Sequence, residues 1–465
     1  MTIPGSLSAS ARRIAVLAWP VLVGQLSVLA FATVDTLLVA RAGATDLAAL
    51  AVGSAVYITI FIGLMGVVMA ISPIVGQLYG AGKLHEAGRQ VHQALWVAAG
   101  LALVGCLLLV FPWPFLALAR VGPEVEAKVR GYLLVLAFAL PGSLLFTIYR
   151  GFNTAVSRPK AVMALQLGGL ALKVPLSTAF VFGVPALGLP ALGVVGCALA
   201  TCIAMWAQVL GAWMVIRRDD FYARFDITGR GFDKPEGRAL RHHIKLGLPM
   251  GASIMVEVTG FAFMAIFIAR LGTTPVAAHQ LAANLVSVLF MVPLAVGNAT
   301  STLVAQRIGA QDGADARRLG WHGLAIGCGL AALLGSGVFA LREPVLGLYT
   351  RDAAVVAAAL PLVAWLAVFH VADALQIIAA FVLRAHKIVT VPVLVYVLAL
   401  WGVGLGGGYV LAFNLTGRTP AGLQGAPGFW TASTVALLLA GTALTALMAW
   451  VLKQHDEPGP RMNTP

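Results

Sequence analysis

Residues 28–40 read VLAFATVDTLLVA, an apolar run with Asp35 at its centre. The pattern recurs around Glu257 in residues 251–263 (GASIMVEVTGFAF) and around Asp373 in residues 367–380 (AVFHVADALQIIAA). A fourth apolar run, residues 167–180 (LGGLALKVPLSTAF), carries Lys173. Each of these segments lies in a stretch long enough to cross a bilayer, while the other fifteen of the 18 Asp and Glu lie in polar breaks. A carboxylate at mid-bilayer costs roughly 2.5–3.5 kcal/mol even on the lenient insertion scale, so such a residue marks a functional site. Three acids and one lysine so placed predict a polar interior that handles cations or protons.

The composition agrees. Of 465 residues 60% are hydrophobic and only 11% charged, with a mean hydropathy of +0.92. Soluble domains carry about 25% charged residues, so the chain reads as an all-α integral membrane protein. A net charge of +13 raises the question of nucleic acid. The cations, however, sit in short loops between apolar runs, with no basic stripe and no RNA-binding signature, and no nucleic-acid partner is expected. The stretch from Ile14 to Ala40 is too long for a signal-peptide core and lacks a cleavage site, which makes it a retained first span. Cys106, Cys197, Cys202 and Cys328 all fall in apolar runs, without a CxxC pair or a Cys/His cluster. Neither a zinc site nor a disulfide framework is expected.

Twelve runs are long enough to span: about 14–40, 47–78, 93–115, 131–152, 161–183, 191–216, 246–269, 276–306, 319–341, 354–381, 389–413 and 428–452. With both termini and the even-to-odd loops on one side, that side holds 22 Lys and Arg against 8 on the other. The richer side should be cytoplasmic, which places both termini inside a bacterial inner membrane. The longest cytoplasmic loop, about 217–245, divides the chain into six-span lobes, residues 1–230 and 231–465. The lobes are repeats. At a shift of 229 residues Pro20 meets Pro249, Arg41 meets Arg270, Gly43 meets Gly272, Gln77 meets Gln306 and Arg89 meets Arg318. An even number of spans per copy inserts both in one orientation. The expectation is a pseudo-twofold axis along the membrane normal and a substrate site between the lobes.

The acids break this repeat. Positions equivalent to Asp35, Glu257 and Asp373 are Met264, Val28 and about Leu144, all apolar. Helical spacing puts Ser253, Glu257 and Phe261 on one face, and Phe369, His370, Asp373 and Gln376 on one stripe. If Glu257 and Asp373 face each other, one can hold a proton or a metal cation such as sodium and release it across the membrane. His370 is a candidate proton relay or the hydrogen bond that satisfies Asp373. Lys173 pairs with Asp35, or lies near its helix end and snorkels to the interface. Phe261, Phe369 and Tyr57 flank the polar stripes and are candidates for cation–π contact with organic cations, or ordinary packing. The cluster Gly402–Gly408 suggests tight packing or bending, and Pro20 and Pro249 are kink candidates. No P-loop, HExxH, GxSxG or dinucleotide fingerprint occurs, so neither ATP drive nor an enzyme activity is expected.

These features together resemble the multidrug and toxic compound extrusion (MATE) family. The resemblance rests on WPVLVGQL, VDTLLVARAGATDLAALAVG, GLPMGASIMVEVTGF and AAHQLAANL, supported by PIVGQLYGAG, its copy LVAQRIGAQ, and VADALQIIAAFVLRAHK. It covers about residues 12–452, and the acid triplet is similar to the NorM-like branch. The resemblance implies a V-shaped arrangement of two six-helix lobes. It also implies sodium- or proton-coupled export of cationic amphipathic compounds, with no cofactor beyond the coupling ion. By position, Glu257 and Asp373 match the second-lobe cation site, Phe261 and Gln280 match residues near bound cation or drug, and Asp35 matches the first-lobe acid. The chain departs from the family in span five, where Lys173-Val-Pro-Leu-Ser177 stands in place of N-x-P-L-N, and Phe369 replaces a tyrosine. The second change, with His370, favours protons. A monomer in the bilayer is expected. The other reading within transport is a flippase for lipid-linked saccharides; three interior acids to one lysine argue against its anionic cargo.

Overall fold

In hydrocarbon a backbone N–H or C=O has no water to bond, so a spanning segment must satisfy its own polar groups, and an α-helix does so. The computed structural model describes residues 6–119, 121–229 and 231–454. Among these, twelve helices are long and apolar enough to cross a membrane. They are α1 (Leu7–Ala42), α2 (Ala44–Gly80), α3 (Leu84–Val110), α4 (Pro123–Ala155), α5 (Pro159–Phe182), α6 (Gly193–Arg218), α7 (Gly237–Ala269), α8 (Thr273–Gly309), α9 (Gly313–Ala340), α10 (Ala353–Ala385), α11 (Thr390–Ala412) and α12 (Ala426–Gln454). The twelve apolar runs correspond to them one for one. Several helices extend beyond their run because polar turns at the ends continue the hydrogen-bond ladder. The chain is an all-α, multi-pass membrane protein.

By internal contacts the chain forms two compact units. The first comprises Val23–Gly251; the second comprises Ala252 onward together with the described residues up to Leu22. In the first unit α4 is central, packed against α2, α3 and α6, with Leu133, Ala139, Leu140 and Leu144 sealed from solvent. In the second, α10 holds the same place against α8, α9 and α12. Both are the fourth span of their half and largely apolar, with a few buried polar residues such as Ser143 on α4 and Asp373 on α10. The start of α1 belongs to the second unit. Ile14, Leu17 and Ala18 pack in its core, Arg13 pairs with Asp315 at 3.0 Å, and Ser10 bonds His322 at 2.8 Å.

Glycines set the closest helix approach. Gly247 and Gly251, one turn apart in GLPMG, bring α7 against α2 within the first unit. A Cβ at Gly247 would lie 2.2 Å from the Val67 carbonyl oxygen, and one at Gly251 2.7 Å from the Gly63 carbonyl oxygen. Lipid tails are as apolar as leucine, so close backbone packing through small residues is what holds two such helices together. The glycine cluster of α11 does something different. Val397–Gly407 is π-helical, and Gly408 is pressed against the Phe429 ring of α12. A π-helical stretch re-aims side chains and concentrates near functional sites. Here it turns the Trp401 indole N–H to donate to the Val256 carbonyl on α7 at 3.0 Å.

The segment after α6 is strapped down. Tyr222, Phe225 and Ile227 are buried in the first unit, and the Tyr222 hydroxyl donates to Asn153. His92 on α3 bonds the Ile227 carbonyl and the Asp233 carboxylate, each at 2.8 Å, and Gln93 bonds the Lys234 carbonyl at 2.9 Å. Asp219 caps the short helix Asp220–Ala223 and pairs with Arg158. The Phe221 backbone N–H, then the Arg158 guanidinium, hold its carboxyl below the usual carboxylate range. That contribution to stability is present above the ordinary carboxylate value and is lost as pH falls through the lowered one.

Substituting Gly251→Val forces a branched side chain into backbone and is expected to destabilise the protein by about 1–3 kcal/mol. A thermal unfolding curve of detergent-purified protein checks it; an unchanged midpoint shows that α2 and α7 do not meet at these glycines.

Candidate cation site

The second unit gathers its carboxylates from two helices. Glu257 lies on α7, eight residues past Pro249, and Asp373 lies in the buried middle of α10. Gln376, one turn beyond Asp373, donates its amide Nε2–H to Asp373 Oδ1 at 3.0 Å and also faces the Glu257 side chain. Its other end is fixed, since Oε1 accepts the hydroxyl of Tyr396 from α11. The chain Tyr396–Gln376–Asp373 therefore has one direction, and the glutamine offers the acids a donor. Glu257 and Asp373 are electrostatic neighbours, and the Arg384 guanidinium also acts on Glu257. The Arg384 guanidinium stacks over the Phe381 ring at 4.7 Å.

The two acids differ in access. Asp373 is buried. Glu257 is partly exposed and lines a narrow cleft with Gly260, Phe261, Met264, Gly404 and Ser433, between α7, α11 and α12. The π-helical stretch of α11 makes room for it. Thr259 turns its hydroxyl back onto the Met255 and Val256 carbonyls of α7, and the π-helical part of α11 presents Gly404 where another residue would project a side chain. An acid reached through a cleft beside an enclosed acid, with one amide spanning both, is an arrangement that can take up a positive charge and keep it in hydrocarbon.

In the first unit the alternatives for Lys173 resolve to the ion pair. Its ammonium lies 2.6 Å from Asp35 Oδ2, with the residue 1% exposed, and does not snorkel. Ser177, one turn on, is buried and its hydroxyl has no partner among the described residues. Asp35 thus belongs to a different unit from Glu257 and Asp373 and sits beside a cation.

Other predicted residues fall differently. His370 is fully buried, and neither ring nitrogen has a partner among the described residues, so it is not the hydrogen bond that satisfies Asp373. Phe369 is enclosed between Phe261 and Trp430, with ring centroids 6.1 and 5.4 Å away, and acts as packing. Gln280 is exposed on α8. Tyr57 bonds Ser143 at 3.2 Å within the first unit. All four cysteines are free. Tyr396 and Arg384 were not legible as site residues: a single tyrosine in an apolar run resembles core, and Arg384 counts as a loop charge near a helix end.

Twelve spans, two units with matching central helices and interior acids define a transport protein. The MatE family model matches residues 20–178 and 249–410. The chain is 40% identical over 439 residues to the probable multidrug resistance protein NorM of Aromatoleum aromaticum, covering 94% of this chain and 92% of that one. It is 34% identical over 442 residues to the multidrug resistance protein NorM of Vibrio cholerae, covering 95% of each. The fold matches the crystal structure of the Vibrio cholerae MATE transporter VcmN in its bent form, with a TM-score of 0.85 at 20% identity over 97% of this chain and 98% of that one. The chain belongs to the MatE family. It is a transporter and not an enzyme.

Tyr396→Phe removes the bond that fixes Gln376, and Gln376→Leu removes the amide itself. Each is expected to slow transport of a cationic dye, Gln376→Leu by about tenfold, equivalent to about 1.4 kcal/mol. Equal dye efflux from vesicles bearing either variant or the unaltered protein contradicts a role for this chain of bonds.

Proposed function

We propose that the chain exports cationic amphipathic compounds in exchange for protons loaded at Glu257 and Asp373. The observation that carries this reading is the one-directional Tyr396–Gln376–Asp373 chain beside Glu257. A sodium ion needs several oxygen ligands, whereas the amide here turns its N–H toward the acids and commits its oxygen to Tyr396. A proton needs only the carboxylates. Neighbouring like charges in a dry interior favour sharing one proton over ionising both, which is the condition for reversible loading. The relatives named multidrug resistance proteins support a drug substrate, and Phe261 at the cleft offers a ring face to an organic cation. Loading the acids removes the negative charge that holds such a compound, so inward proton entry and outward release are coupled by competition for one site. The loop bias of 22 cations to 8 supports cytoplasmic termini and the bacterial inner membrane as location.

Ethidium efflux from reconstituted vesicles, under a pH gradient alone and then a sodium gradient alone, tests the reading. The pH gradient is expected to drive efflux and the sodium gradient to have no effect. Glu257→Gln and Asp373→Asn are each expected to reduce proton-driven efflux at least about tenfold. Full activity in both variants ends the mechanism, and drive by sodium alone replaces the ion.

A further inference from the structure

The first unit holds its only mid-span acid in a different state from the second. Lys173 Nζ lies 2.6 Å from Asp35 Oδ2 and 4.6 Å from the centre of the Phe31 ring. Groups beside this pair come from several helices: Phe31 from α1, the Tyr132 phenol from α4 and the Cys197 thiol from α6, while Ser177 is buried one turn beyond Lys173 on α5. A thiol and a phenol are neutral when protonated and anionic when not, so neither supplies a positive charge at any pH. Lys173 is then the one cation that faces Asp35 among the described residues. A paired lysine and carboxylate sum to zero and are far cheaper in hydrocarbon than either charge alone.

We propose that Lys173 is a tethered counter-ion that keeps the Asp35 site permanently occupied, confining exchange of positive charge to the second unit. A primary ammonium on a four-carbon stem can reach a carboxylate across a helix interface and cannot diffuse away. Any proton, sodium ion or organic cation that approached Asp35 would have to displace a cation present at very high local concentration. Removing the ammonium leaves Asp35 and the Ser177 hydroxyl as buried oxygens without a cationic partner, which is a vacancy an exchangeable charge can fill. Lys173 therefore determines how many charges the protein carries per cycle. The inference rests on the proton-exchange reading only for its consequence for transport; the occupancy of Asp35 can be read without it.

The experiment counts protons taken up by detergent-purified protein between pH 9 and pH 5, and measures ethidium efflux from vesicles in parallel. Lys173→Met is expected to take up about one more proton than the unaltered protein, because a buried lone carboxyl titrates within that range. The neutral pair Asp35→Asn with Lys173→Met is expected to match the unaltered proton count and to keep efflux within about twofold, since a static pair can be replaced by an uncharged one. If Lys173→Met does not fold, the exchanged pair Asp35→Lys with Lys173→Asp takes its place and is expected to keep efflux. The proposal is overturned if Lys173→Met titrates like the unaltered protein, or if the neutral or exchanged pair folds but loses efflux at least tenfold. Glu257→Gln with Asp373→Asn is counted alongside. An unchanged count there sinks the second-unit site while leaving the Lys173 comparison intact.

Discussion

A charge in hydrocarbon must find its complement within a few ångströms, and each unit meets that demand in its own way. The first unit supplies a full opposite charge, Lys173 at 2.6 Å from Asp35. The second supplies hydrogen bonds at Asp373, with the Gln376 amide donating and Tyr396 holding the amide in register, and the Arg384 guanidinium is an electrostatic neighbour of Glu257. A full counter-charge makes a stable neutral pair. A hydrogen-bonded acid beside a second acid remains open to another positive charge. Where ions can be exchanged follows from that difference.

The backbone around the second site is correspondingly irregular. α7 carries Pro249 and lets the Thr259 hydroxyl bond back to the Met255 and Val256 carbonyls. α11 runs as a π-helix from Val397 to Gly407 and reaches across with Trp401 to the Val256 carbonyl. In a membrane such departures survive only where neighbouring helices satisfy the freed groups. Here the indole N–H and the threonine hydroxyl do so, and the cleft beside Glu257 opens between the same helices. The central helices α4 and α10 run as α-helix throughout although they contain Pro141 and Pro361, and they position Ser143 and Asp373 from the cores of their units.

The internal repeat makes this asymmetry informative. Gly43 and Gly272, Pro20 and Pro249, and Gln77 and Gln306 occupy matching places, so the scaffold is duplicated. The acids and the lysine are not. Two copies of one fold have thus been given different electrostatic interiors, and the change needed was confined to a few side chains on faces that the scaffold had already enclosed.

The sequence by itself determined the twelve spans, the repeat and the anomaly of Asp35, Glu257, Asp373 and Lys173, because transfer from water to hydrocarbon is decided residue by residue along the chain. It also placed Gln376 on the stripe of Asp373, since helical periodicity fixes which residues of one helix share a face. Only the tertiary structure decided which faces meet. It chose pairing over snorkelling for Lys173, brought Tyr396 from α11 to Gln376, left His370 without a bond to Asp373, and put Gly247 and Gly251 against α2. None of these has a local signal. Partner choice between helices depends on packing among residues of different helices, 20 positions apart for Tyr396 and Gln376 and 138 for Lys173 and Asp35, and periodicity within one helix carries no record of its neighbour.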